Sequence, residues 1–173
     1  MSEPRSLDLT LTAERMERYC RETVRYARDP AHALTSLVAV QTFLATQVGP
    51  GDEAYGTIRG ILEEHIDRAQ ARVLEQAAAD LATALRRHDA PAVGCIHAPL
   101  SRSGFRTALE RAWRELASAE RSAAADWVQT WCRDARARGE AASGFPDALD
   151  LSGAGIDLKE YAALNDVAGF LEG

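Results

Sequence analysis

Lysine is almost absent from this chain: of twenty basic residues only Lys159 is a lysine, and the rest are arginine. That removes a phosphate-binding loop of the nucleotide-hydrolase kind. The one Gly-rich stretch, "GPGDEAYG", lacks the lysine and does not follow a strand pattern. Cysteine is scarce too. Cys20, Cys95 and Cys132 are odd in number and far apart, so they make no disulfide framework. Free thiols in a reducing, cytoplasmic setting are the expectation. The N-terminal stretch is polar, without the apolar run of a secretory signal. Long hydrophobic runs are missing as well. Residues 30–51 carry no formal charge, but His32, Thr35, Ser36, Gln41, Thr42, Thr46 and Gln47 interrupt them. A membrane span needs about twenty mostly apolar residues, so no membrane partner is expected.

Basic charge is missing from the last fifth of the chain. Residues 140–173 hold seven acidic residues against Lys159 alone, and the net charge of −6 resides there. Binding phosphate backbones needs cationic groups, so no nucleic-acid partner is expected. Such a tail suits a basic protein partner. The heavy use of arginine and alanine points to a GC-rich bacterial coding sequence.

What remains is helical periodicity. The expected class is all-α, a helical bundle with two long antiparallel helices, two shorter N-terminal helices and a short C-terminal helix. A first helix runs over 13–28 behind the N-cap Thr12. A second starts at Pro30, where a missing N–H costs nothing. Uncharged, it reads as the central helix, buried on most sides. Gly49-Pro50-Gly51 breaks the chain, and Asp52 caps a third helix over 53–88. Its stripe is Ile58, Leu62, Ile66, Ala69, Val73, Ala77, Leu81 and Leu85, at steps of three or four. Residues 89–104, with Pro91, Gly94, Pro99 and Gly104, read as a loop. A fourth helix over 105–138 carries Phe105, Leu109, Trp113, Leu116, Ala119, Ala123, Trp127 and Trp131 on one side. Gly139 is its natural stop. The expected organisation is a bundle over 1–139, an acidic Gly/Ser-containing linker over 140–156, and a C-terminal docking helix over 157–173. Asp157 is that helix's N-cap, with Glu160 three residues on. Helices three and four would each be about 50 Å long. Two short helices cannot cover two such stripes, so the sequence predicts a homodimer.

Chemistry-bearing constellations are few. "DLSGAGIDLKEY" at 150–161 has Asp150, Ser152 and Gly155 where a calcium loop has its first and third ligands and its turn. Ala154 replaces the fifth ligand, and Asp157 and Glu160 fit only after a deletion, so a glycine hinge is the reading. Cys95-Ile96-His97 has no second half to complete a zinc site. As a nucleophilic pair it would need an orienting third group, which no local motif supplies, so a loop with a partly buried thiol is the reading. His65 lies on the apolar face of helix three and reads as a hydrogen-bonded core histidine. No cofactor, metal ligand set or catalytic set is expected. The candidate binding residues are Arg102 and Arg106, at a helix N-terminus that suits an anion, with Trp113, Trp127 and Trp131 as partner anchors. The function expected is a non-catalytic cytosolic protein–protein interaction module. It would be an adaptor, an immunity or antitoxin protein, an assembly chaperone or a regulator. The alternative is a bundle that binds a small apolar or anionic ligand between the two long helices, its acid group met by Arg102 or Arg106.

Overall fold

A computed structural model describes residues 12–47, 53–145 and 148–173. Among these residues the chain is all-α, with seven helices and no strand. They are α1 (Ala13–Tyr26), α2 (Pro30–Gln47), α3 (Glu53–Arg87), α4 (Ala90–His97), α5 (Arg102–Glu115), α6 (Ser118–Ser143) and α7 (Leu158–Glu172). The expected break at Gly49-Pro50-Gly51 and the expected cap Asp52 lie outside the described residues. No helix among the described residues is long and apolar enough to cross a membrane.

The chain divides into two compact units, Met1–Val73 and Leu74–Gly173. The core of the first comprises Met16, Cys20, Leu37, Leu44, Ile58, Leu62, Ile66 and Ala69. Thr12 caps α1 by accepting from the Arg15 N–H at 3.3 Å. Asp29 accepts from the His32 N–H at 2.8 Å and so opens α2 behind Pro30. That bond, with the Arg28 guanidinium beside it, holds the Asp29 carboxyl below its usual range. Helix α2 differs from expectation. Among its described side chains Ala33, Leu37 and Leu44 are the buried ones, and a broad outward arc is exposed. The absence of charge reflects the small and threonine-rich make-up of that outward arc, and enclosure is not its cause.

The core of the second unit gathers Leu81, Leu85, Val93, Phe105, Leu109, Val128, Leu164 and Val167. The stripe read on α3 holds; of its eight members Val73 alone is half-buried. The helix ends on His88, whose φ of 55° is left-handed. The His88 N–H donates to the Leu85 carbonyl at 3.3 Å and the Asp89 N–H to that of Ala84 at 3.0 Å. This pair of bonds satisfies carbonyls that a helix end leaves open. Residues 90–97, expected to be loop, form α4. Asp89 accepts from the Ala92 N–H at 3.0 Å, and Pro91 falls in the first turn, where proline is tolerated.

The expected fourth helix is in fact α5 and α6. Leu116 and Ala117 are extended, with ψ of 136° and 159°. Leu116 is buried there. The Glu120 carboxylate accepts from the Ala117 N–H at 2.8 Å, which starts α6. Arg86 donates to both the Glu115 carbonyl and the Glu120 carboxylate, at 3.3 and 3.2 Å. The Ala117 N–H, chiefly, and Arg86 hold the Glu120 carboxyl below its usual range. The break shifts the phase of the buried side. On α6 the buried residues are Ala124, Val128, Ala135 and Gly139, while Ala119 and Ala123 are exposed.

Gly139 does not stop the helix. Helix α6 continues to Ser143 and ends at Gly144, whose φ of 67° is left-handed. Gly139 is buried because Leu149 and Leu151 pack where its side chain would be. The Asp150 N–H donates to the Gly139 carbonyl at 3.0 Å, and Ile156 is buried. Residues 148–156 are thus held against α6. Asp157 then caps α7 by accepting from the Lys159 and Glu160 N–H groups. Helix α7 packs on α4 and α6 and buries Ala163, Leu164 and Val167.

Candidate functional site

The five residues singled out from sequence fall at separate places on the second unit. Arg102 is the first residue of α5, behind the cap Ser101, whose hydroxyl accepts from the Gly104 N–H at 3.1 Å. Arg106 pairs with Glu110 at 3.4 Å. Both arginines border a cleft of about 200 Å³ lined by α5 and α7, with Phe105, Leu109, Asp166 and Phe170. The cleft therefore lies between α5 and α7, and the two long helices of the sequence expectation do not form it. Asp166 supplies a negative charge in the same opening, so the cleft is not purely cationic.

The tryptophans are half-buried and packed against the core of this unit. Trp113 meets the Phe170 ring edge-on at 6.1 Å. Trp127 stacks on His88 at 5.1 Å, with the rings 15° apart. Trp131 is tilted against Tyr161 at 6.5 Å. Trp127 and Trp131 also share an open groove with Asp126 and Asp134. That groove is separate from the one that Arg102 and Arg106 border.

The remaining polar candidates are committed to the fold. His65 is 7% exposed and shares a hydrogen bond with Glu17 at 3.1 Å. His97 meets Asp166 at 2.9 Å and presents its ring to Phe105 edge-on, while Cys95 is exposed. In the calcium-like stretch, Asp150 accepts from the Gly153 N–H at 2.8 Å and Asp157 is a helix cap. Glu160 is held above its usual range, by partial burial first and then by the neighbouring Asp157 and Asp89. Burial also raises the Cys132 thiol.

Sequence reading missed what the first unit offers. The outward seam of α2 comprises Ala31, Thr35, Val38, Thr42 and Ala45, all exposed and uncharged, at steps of four, three, four and three. Phe43 beside it is 62% exposed. The Thr35 hydroxyl donates to the Ala31 carbonyl at 2.9 Å and that of Thr42 to Val38 at 3.0 Å. Both threonines have thus satisfied their donors within the helix. The signal available in sequence was this same spacing, hidden because the inner positions 33, 37 and 44 are apolar as well. The first unit also holds a cleft of about 400 Å³ with Arg21, Arg28, Arg68 and Arg72 around it. The chain matches no protein-family model, and no curated protein or solved structure matches it.

Proposed function

We propose that the protein is a non-catalytic helical interaction module that associates through α2, and that the partner seated there is a second copy of the chain. The observation that carries this reading is the exposed, uncharged seam Ala31–Thr35–Val38–Thr42–Ala45. A surface helix ordinarily turns charge to water. This one turns methyl groups outward, with its threonine hydroxyls already bonded to its own carbonyls. Burying it leaves no donor orphaned. Small residues at steps of four and three let a second helix approach closely.

The choice of a second copy rests on the order of the residues. The residue types of the seam read the same in both directions about Val38, with the two threonines three and four residues from it. A two-fold axis there sets Val38 on itself and Ala31 opposite Ala45, and brings Thr35 within one residue of Thr42 of the second copy, as a self-complementary interface allows. A basic partner finds no carboxylate on this seam. The acidic stretch 140–173 remains the place for such a partner. With the chain broken at Leu116-Ala117 there is no second helix of the expected length to be covered, and a second copy is called for by the α2 seam instead. The cytoplasmic setting is supported by three free cysteines, one of them exposed.

The test is mass by light scattering on the parent and on Val38→Glu. A seam about 21 Å long supports association at about micromolar concentration. The parent is expected at twice the mass of the chain above that range, and V38E at the single mass with an unchanged helical circular dichroism spectrum. A parent that stays monomeric at about 100 μM sinks the reading. So does a V38E protein that remains dimeric.

A further inference from the structure

We infer that the cleft of the first unit is a binding site for a small organic carboxylate with a compact apolar body. The cleft of about 400 Å³ is lined by the second half of α1, the turn into α2, and α3. Its size falls in the range of about 300–1,000 Å³ usual for small-ligand sites. The wall and floor are mainly apolar, with Val24, Ala27, Pro30, Ala33 and Ala69 beside the buried His65 ring, and Ala33 and Ala69 are each 3% exposed.

Around this floor stand Arg21, Arg28, Arg68 and Arg72, and Asp29 is the one carboxylate that lines the cleft. Their ion pairs assign the charge. Arg21 pairs with Glu17 at 3.6 Å, Arg28 with Asp29 at 3.2 Å, and Arg68 with Glu64. Glu17 also meets His65 at 3.1 Å. Arg72 has no ion-pair partner among the described residues. Three of the four guanidiniums are therefore paired with carboxylates, two of which lie outside the cleft, and the surplus is one positive charge. One carboxylate matches that surplus, whereas a doubly charged phosphate monoester exceeds it. A guanidinium offers paired N–H donors that fit both oxygens of a carboxylate. The charged rim over an apolar floor fixes orientation: head toward Arg72, body against Ala33 and Ala69.

This site is independent of the α2 seam. Ala33 turns inward on α2 and is buried, while Val38 turns outward and is exposed. Failure of one reading leaves the other standing.

The experiment is isothermal titration of the full chain with octanoate, 1-octanol and inorganic phosphate. Octanoate is expected to bind one per chain with a Kd of about 1 mM or tighter. Octanol, with the same body and no charge, is expected to bind about tenfold more weakly or less. Arg72→Gln is expected to weaken octanoate by about fivefold or more while its helical spectrum stays unchanged. Arg133→Gln, an exposed site in the other unit, is expected to bind as the parent does. No octanoate heat up to about 10 mM overturns the inference. Octanol that binds as well as octanoate overturns it, as does phosphate that binds as tightly. Equal losses in R72Q and R133Q, or none in R72Q, have the same consequence.

Discussion

His97 and Asp166 lie 2.9 Å apart, Nε2 to Oδ2, and join the end of α4 to the middle of α7 across 69 residues of sequence. The imidazole is also held edge-on against Phe105 at 4.6 Å, so α5 fixes the ring that α7 holds through its carboxylate. Both side chains are partly shielded, at 21% and 34% exposure. A shielded charged hydrogen bond contributes more than an open surface pair. Asp166→Ala is expected to cost about 1–2 kcal/mol, read as a lower urea midpoint at unchanged slope. Asp166→Asn keeps an acceptor and is expected to cost less. An alanine variant with the parent's midpoint means that α7 is held by its apolar face alone.

Two glycines test opposite sides of one packing argument. A Cβ on Gly94 would come within 3.1 Å of the Glu160 nitrogen and 3.3 Å of its Cα. Both are backbone atoms at the start of α7, and they cannot rotate away. Gly94→Ala is expected to destabilise by about 1–3 kcal/mol, because α4 and α7 must separate. Gly60 in α3 is exposed, and nothing would lie within 4 Å of a Cβ there. Gly60→Ala is expected to stabilise by about 0.5–1 kcal/mol, since alanine loses less freedom in a helix. Thermal melts of the two variants should move in opposite directions. A rise in both would show that the α4–α7 contact is not close, and a fall in both would show that Gly60 has no room for a methyl group.

The thiols separate by environment. Cys20 is wholly buried, and burial, helped by the nearby Glu17, pushes its thiol up to about 11. Cys95 is exposed. At pH 8 iodoacetamide is expected to label Cys95 in the folded protein and to reach Cys20 only after unfolding. The pH dependence has a definite sign. In the unfolded chain Cys20 loses its proton near 9, whereas in the folded chain it keeps it to about 11. The folded state therefore binds more protons between those values, and stability falls as pH rises through them. The loss due to Cys20 amounts to roughly 2 kcal/mol by about pH 11. Cys20→Ala is expected to flatten that part of the urea-midpoint profile. A profile that declines as steeply in the variant assigns the loss to other groups.

Legibility from sequence followed the length of the periodic signal. The stripe from Ile58 to Leu85 spans a helix of 35 residues, and chance does not imitate that many turns. The boundary at Leu116-Ala117 gave no such signal. "RELASAER" has neither glycine nor proline, and the break is made by Leu116 turning inward, by the Glu120 carboxylate and by Arg86 from a helix 29 residues away. Helix α4 was hidden for the opposite reason. Pro91 and Gly94 look like breakers, yet Pro91 sits in the first turn and Gly94 makes room for α7. The charge-free run over 30–51 reads as burial, because sequence alone cannot say which arc of such a helix faces water. Of the candidate binding residues, Arg102 and Arg106 share a cleft as their spacing suggests, but the tryptophans follow their own contacts with His88, Tyr161 and Phe170.

The two-fold seam on α2 makes a geometric prediction sharper than a change in mass. A residue on the axis meets its own copy, so Val38 of each chain lies within reach of the other. Two cysteines form a disulfide only when their Cα atoms are about 4.4–6.8 Å apart. Val38→Cys, in a background with the exposed Cys95 changed to serine, is expected to give a covalent dimer under mild oxidation. Thr35→Cys alone is expected to cross-link poorly, since the two-fold axis carries it to positions 41–42 and away from its own copy. Thr35→Cys mixed with Thr42→Cys, each in the same background, is expected to link into heterodimers. Non-reducing gels distinguish all three. A V38C protein that stays monomeric while T35C links to itself would move the axis toward the N-terminus of α2. Cross-linking with equal ease at every position would mean random collision and no seam at all.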